Sequence, residues 1–236
     1  MSQKRVILQS VGEVIYQKRG SARSIRITVA HDGTIKVSMP SWTPYSVAEA
    51  FVHSKASWIR TQQIGKGHHL LRSDERIGKA HRLKFIQEKR KSIVSRITKT
   101  EITIRFPYDL ETSDAMVQTE VRKAAVRALK QEAKILLPQR LDALATKYGF
   151  TYRNVSIKQL KSRWGSCSSH KDIALNCFLM QLSWDLIDYV LLHELQHTQI
   201  MAHGPKFWSS LDQYVPNLAA KRKAIKLHKP TLITVA

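Results

Sequence analysis

The sequence predicts an α+β protein: a β-rich N-terminal region containing one helix, then a mainly helical region built around a metal-binding helix. Three observations carry that expectation. Short runs between Glu13 and Met39, and again between Arg82 and Phe106, alternate apolar and polar residues as half-buried strands do. Two long segments, Tyr45 to Ile64 and Thr112 to Tyr148, repeat their apolar residues at helical spacing. The apolar segment opening at Trp184 carries a His-Glu-x-x-His pattern at His193, Glu194 and His197, with His203 shortly beyond.

In chain order, Glu13 to Gln17, Ser24 to Val29 and Ile35 to Met39 read as strands, with a turn from His31 to Thr34. Pro40 ends the hairpin. Pro44 sits in the first turn of the helix expected over Tyr45 to Ile64, with Ser41 or Thr43 as its cap. Val47, Ala50, Phe51, Ser54, Trp58 and Ile59 form its expected inner stripe. Gly65 to His69 is a breaker segment, and the adjacent His68 and His69 read as solvated, since neighbours on a loop converge poorly on one ion.

Arg82 to Gln87, Ser92 to Ile97 and Glu101 to Phe106 are three further expected strands. Around them, from Arg76 to Lys99, nine basic residues stand against Glu88 alone, either the solvated face of a sheet or an anion-binding surface. The long helical region follows, with Ser113 as its expected cap, Pro138 expected to kink or divide it, and Gly149 ending it. Val155 to Leu160 and Asp172 to Asn176 read as strands on either side of Ser162 to Ser168. Short helices are expected over Lys206 to Tyr214 and Asn217 to Leu227. The expected organisation is 1–110 as the β-rich region with its helix at 45–64, 111–230 as the metal-binding domain, and 231–236 as a tail.

Composition sets wider bounds. A net charge of +21 over 236 residues, with a pI near 10.2, implies attraction to something anionic, such as nucleic acid, acidic protein or an anionic surface. Two cysteines, Cys167 and Cys177, offer at most one disulfide and exclude a secreted disulfide scaffold. No signal-peptide apolar core and no apolar run of membrane-spanning length is present, so the expected location is cytoplasmic, with no transmembrane segment.

The residues around His193 point to metal chemistry. At about 3.6 residues per turn, His193 and His197 lie one above the other, about 6 Å apart along the axis, where both imidazoles can reach one tetrahedral ion. Glu194 points about 100° round the helix, beside the ion, where it can take a proton from a water that the ion polarises. Leu186, Val190, His193, His197 and Ile200 share one face, while Ile187, Leu191, Leu192 and Leu195 make the rest largely apolar. Burying two imidazoles and a carboxylate in such a helix is costly without partners, and a metal provides them. The plain alternative is a core helix with hydrogen-bonded histidines and a solvent-facing Glu194.

His203 is the expected third ligand. Six residues after His197, on a continuing helix it would sit about 240° round, so the chain must turn between Ile200 and His203. Gly204 and Pro205 supply the stop signal. The spacing is that of the metzincin pattern, but Ile200 stands where that pattern needs glycine. Asp212 and His228 are the competing third ligands, and His203 could also lie at the surface without metal contact.

The run from Arg163 to Ser168, Ile173 to Asn176, Ile187 to His197, His203 and Phe207-Trp208 together resemble the YgjP-like metal-dependent hydrolase family. Arg23 to Val29, Asp32-Gly33, Ile35 to Val37 and Trp58-Ile59 resemble that family's N-terminal half, so the similarity runs from about Ser21 to Leu227. The family is regarded as zincin-like and related to SprT-type metalloproteases. The resemblance implies a zincin-like α+β metallopeptidase domain with His193, His197 and His203 as zinc ligands and Glu194 as base. One departure is Ala202-His203-Gly204, where the family usually has Asn-His-Ser; Asn tolerates the left-handed backbone that a tight helix exit can require.

The resulting expectation is a zinc-dependent hydrolase, foremost a peptidase acting on peptides or proteins, with one Zn2+ held by three histidines and the fourth position open. Arg163, Tyr189 and Tyr214 are candidate substrate-binding residues, and together with His170 they are the candidates for oxyanion stabilisation. Trp164 and Cys167 read as buried packing residues, with Gly165 permitting close approach, or else as part of a strand edge that an extended peptide could join. The alternative function is a basic nucleic-acid-associated protein using zinc structurally, or a protease recruited to nucleic-acid-bound proteins. A structural zinc normally takes four protein ligands, and the sequence offers three.

Overall fold

The computed structural model describes residues 3–8, 10–30, 34–65 and 70–232. The turn residues His31 to Gly33 and the pair His68-His69 lie outside the described residues. The front of the chain holds β1 (Gln3–Leu8), β2 (Gly12–Arg19), β3 (Arg26–Val29), β4 (Ile35–Pro40), α1 (Tyr45–Ser54) and α2 (Ala56–Gly65). Next come β5 (Arg76–Ile77), β6 (His81–Gln87), β7 (Val94–Ile97), β8 (Glu101–Phe106) and the long helix α3 (Ala115–Tyr148). The remainder holds β9 (Asn154–Lys158), β10 (Gly165–Cys167), β11 (Asp172–Asn176), a 3-10 turn over Cys177–Gln181, and the helices α4 (Trp184–Gln196), α5 (Pro205–Asp212) and α6 (Leu218–Leu227). Helices and several sheets mix along the chain, so the α+β class holds. No helix among the described residues is long and apolar enough to cross a membrane.

Two compact units result, one from residues 1–75 and 82–125, the other from 76–81 and 126–233. The division between them falls inside α3, whereas the boundary read from the sequence, 110/111, falls in the turn before it.

In the first unit a sheet runs in the order β1-β2-β4-β3, with β2 and β4 parallel and the outer pairs antiparallel. Val14, Tyr16, Ile35, Val37 and Met39 alternate onto its buried face and pack with Ala48, Val52 and Ile59 of the two helices. β1 gave no clear signal in the sequence because it is a charged edge strand, exposed over most of its length. The single helix expected over Tyr45 to Ile64 is broken at Lys55, whose N–H is shared between the carbonyls of Phe51 and Val52 as at a helix end. Ile59 is buried as expected, whereas along α1 the inner face is rotated by one residue. Ala48 and Val52 are buried, while Val47 is 51% exposed.

β6 and β8 pair in parallel and β7 flanks β8 antiparallel, giving the order β6-β8-β7. On β6, Leu83 is buried while Arg82 and Lys84 face out, and Arg90 and Arg105 pair with Glu88 at 2.7 and 2.8 Å. On the strand, the basic residues Arg82 and Lys84 alternate with the inward Leu83.

α3 starts just after Asp114, whose carbonyl accepts the first helical bond from Gln118, so the cap lies one residue beyond Ser113. It runs for 34 residues through Pro138 without dividing. Ala133, Leu137, Leu141 and Leu144 are buried on either side of that proline, and their packing outweighs its missing hydrogen bond.

In the second unit, Glu132 of α3 is a buried carboxylate that accepts the backbone N–H groups of Lys79 (2.7 Å) and Ala80 (2.9 Å) and meets His81 Nδ1 at 2.5 Å. Gly78, at φ +68°, leaves no room for a side chain against Glu132 and Leu129, so the turn closes directly onto the helix. The small sheet of this unit runs β10-β11-β9, with β9 and β11 parallel and β10 antiparallel at one edge.

Candidate metal centre

α4 begins at Ser183, whose hydroxyl accepts the N–H of Leu186, and Asp185 in the first turn complements the helix dipole. Ile187, Val190, Leu191, Leu192 and Leu195 are all buried, so the helix is fixed along its whole length. His193 sits in its last turn and His197 at its end. From there the chain folds over through bonds from Thr198 to Leu195, Gln199 to Gln196 and Ile200 to Gln196, then from Gly204 to Ala202. α5 restarts at Pro205 with Gly204 as its cap. Neither Ala202 nor Gly204 has positive φ, so this exit needs no left-handed residue, and alanine in place of the family's asparagine carries no backbone strain.

The reversal brings three imidazoles together. The Nε2 atoms of His193, His197 and His203 lie 3.0 to 3.2 Å from one another. Tetrahedral Zn–N bonds of about 2.0 to 2.1 Å put nitrogens about 3.3 Å apart, so this donor set fits one ion with little adjustment. His197 Nδ1 lies 3.1 Å from the carbonyl of Ile200; the Nδ1–H donates there and leaves the Nε2 lone pair facing the cluster. Burial, then the charges of His197, His203 and Arg222, hold His193 down to about 3, and burial also lowers His197. Both rings are therefore neutral at ordinary pH, the form that binds metal. Among the described residues neither Asp212 nor His228 joins this group.

Phe207 and Trp208 of α5 wall the cluster. The fully buried Phe207 ring lies 4.6 Å from His197 and 4.9 Å from His203, centroid to centroid. Trp208 stacks on His203 at 5.5 Å and 20°, and its Nε1 donates to the His203 carbonyl at 3.1 Å. On the other face of the site, Glu194 is 5% exposed, and its Oε2 has no partner among the described residues. Burial pushes its carboxyl up to about 8, against a smaller downward pull from Arg163. Gly165 on β10 is what gives it room, since a Cβ there would stand 2.6 Å from Glu194 Oε1.

Asn176 holds that strand in place. Fully buried, it donates through Nδ2 to the carbonyls of Leu160 and Arg163, each at 2.9 Å, and accepts the N–H of Phe178. Its own N–H reaches Trp164, which ends the strand expected over Val155 to Leu160 two residues early and turns 159–164 into an anchored loop. The triad, Glu194, the segment from Arg163 to Cys167, Tyr189 and Ile225 line one open cleft of about 420 Å3. Trp164 and Cys167 are thus cleft residues, only partly buried; burial pushes the free Cys167 thiol up to about 11. Cys177 is also free.

Of the other candidates, Arg163 and Tyr189 border the cleft. Tyr214 does not. It packs on Tyr148 and Phe150 at 5.2 and 5.1 Å and lines a second cleft with Arg140 and Lys147, because α5 turns its C-terminal end toward α3. His170 is exposed in the turn before β11 and outside the cleft lining. The sequence reading took Gly165 only as permitting close packing and did not single out Asn176 or Arg222, all of which the fold brings to the site. A glycine inside a strand and a fully satisfiable asparagine were the available signals for the first two.

Among solved structures, the chain is similar to the metallopeptidase zymogen jannalysin of Methanocaldococcus jannaschii, at 25% identity and a TM-score of 0.34, covering 39% of this chain and 92% of that one. It is also similar to the zymogen abylysin of Pyrococcus abyssi, at 21% identity and a TM-score of 0.36, covering 42% of this chain and 100% of that one. No curated protein matches it. The family described as YgjP-like, metallopeptidase domain, matches residues 23–228, the stretch that holds the imidazole cluster, Glu194 and the strand beside them, and the chain belongs to that family.

Proposed function

We propose that the chain is a zinc-dependent peptidase of zincin-like fold, in which His193, His197 and His203 hold one Zn2+ and Glu194 is the general base. The observation that carries this is the convergence of three Nε2 atoms at 3.0 to 3.2 Å beside a buried carboxylate with an unpartnered oxygen. Zinc held there would supply Lewis-acid polarisation of the scissile carbonyl and of the attacking water.

Glu194 takes the proton of that water as its oxygen bonds to the carbonyl carbon, and returns it to the nitrogen as the C–N bond breaks. Burial makes it a stronger base than an exposed carboxylate. Tyr189, whose phenol is raised by burial, stays a neutral donor at the cleft wall and is a candidate to steady the carbonyl oxygen. β10 is an edge strand bordering the cleft, so its outward backbone groups can pair with an extended peptide.

Metal removal tests the proposal. Purified protein is expected to contain about one zinc per chain, to lose peptide hydrolysis on chelation and to regain it with added Zn2+. Hydrolysis that survives complete metal removal would overturn it. Gly165→Ala tests the carboxylate's placement. The new methyl group displaces Glu194 by about 1 Å, enough to lower kcat/KM about 100-fold while zinc content stays unchanged. Unaltered turnover in that variant would show that Glu194 does not act from this position.

A further inference from the structure

The cleft also carries a charge pattern that bears on what it binds, and the argument rests on the peptidase reading of the same site. We propose that the cleft selects peptides bearing a carboxylate close to the scissile bond, received by Arg163 and Arg222.

Arg163 is exposed at the cleft wall, on the loop that Asn176 fastens through the Arg163 carbonyl itself. Its side chain has no hydrogen-bonded carboxylate among the described residues. Arg222 of α6 lies with its guanidinium 3.6 Å from the Trp208 ring centroid, and Trp208 in turn stacks on His203. It too has no carboxylate partner among the described residues, and its charge is felt at His193 and Tyr189.

The acids nearby are already committed. Asp172 is held by Arg153, Asp188 pairs with Arg140 at 2.6 Å, and Asp185 with Lys221 at 2.7 Å. Glu194, the one acid lining the cleft among the described residues, is buried. A chain with 39 Lys and Arg has many solvated cations, but these two differ from a solvated surplus. Arg163 lines the opening from a loop whose backbone is anchored, and Arg222, outside that lining, is held by stacking on Trp208 behind His203. A guanidinium without a carboxylate partner beside such an opening favours a bidentate carboxylate.

The carboxylate can come from an Asp or Glu side chain or from the C-terminus of the peptide, and the test separates them. Peptide pairs differing only in Glu or Gln beside the cleaved bond, each with free and amidated C-termini, are measured for binding to full-length Glu194→Gln and for turnover by the unaltered chain. Glu peptides are expected to bind about tenfold more tightly than their Gln partners at low salt. That ratio should fall toward one in Arg163→Gln/Arg222→Gln. Arg163→Glu, a change at an exposed loop position, should shift preference to Lys peptides. Tighter binding of Glu than of Gln peptides assigns the side chain as source, and equal binding that weakens on amidation assigns the terminus; both support the proposal. Equal binding of all four peptides, Glu and Gln, free and amidated, overturns it. Turnover without preference for either carboxylate overturns this inference and leaves the peptidase reading standing, whereas carboxylate preference in binding without turnover supports this inference and overturns the peptidase reading.

Discussion

Glu194→Gln is expected to lower peptide hydrolysis by about 10^3-fold or more while leaving zinc content unchanged, because the amide keeps the carboxylate's shape and loses its basicity. The triad does not depend on Glu194 for its geometry: His197 is oriented by the Ile200 carbonyl and by Phe207, and His203 by Trp208. Metal analysis and turnover on the same preparation check this directly. The variant has a second signature in the metal-free protein. There burial holds the Glu194 carboxyl up to about 8, against 4.5 for an ordinary glutamate. A folded-state value raised in this way contributes stability that is fully present below pH about 4.5 and lost as pH rises through about 8. Metal-free Glu194→Gln should therefore melt above the metal-free unaltered chain at pH 9, with the advantage gone at pH 5. A melting difference that does not change between those pH values would mean that Glu194 is not desolvated as its surroundings require.

His197→Ala is expected to remove metal binding. Two remaining imidazoles cannot hold zinc as three do, and the loss should exceed the 10- to 100-fold typical of removing an outer partner of a ligand. The change also leaves the Ile200 carbonyl without its donor and opens space against Phe207, at a cost of about 2 to 4 kcal/mol in stability. His203→Ala should lose metal to a similar degree with little loss of fold, since His203 is exposed. His228→Ala should bind as the unaltered chain does. Zinc titration against a competing chelator reads all three. Retained tight binding in His203→Ala, or loss in His228→Ala, would reassign the third ligand.

What could be read in the sequence follows from which contacts are local. α4 and its histidine pair were legible because the apolar run and the spacing of four lie within one segment. The turn that returns His203 was legible from Gly204-Pro205, although its backbone proved unstrained. The break at Lys55 and the uninterrupted passage of α3 through Pro138 were not, because packing by distant residues decides both. β1 was missed because an exposed edge strand need not alternate. At the site, the approach of Gly165 to Glu194 and the stack of Arg222 on Trp208 join residues 29 and 14 positions apart, and periodicity carries no information at that range. Tyr214 was a reasonable candidate by its place after α5, but its ring belongs to the aromatic contact with Tyr148 and Phe150.

The X-ray absorption fine structure at the zinc edge of purified, zinc-loaded protein tests the central claim most directly. Three imidazole nitrogens and one further light atom at about 2.0 to 2.1 Å are expected, the signature of a site with one exchangeable position. A sulfur scatterer at about 2.3 Å, or a fourth imidazole, would show a closed structural site and contradict a hydrolytic role for these histidines.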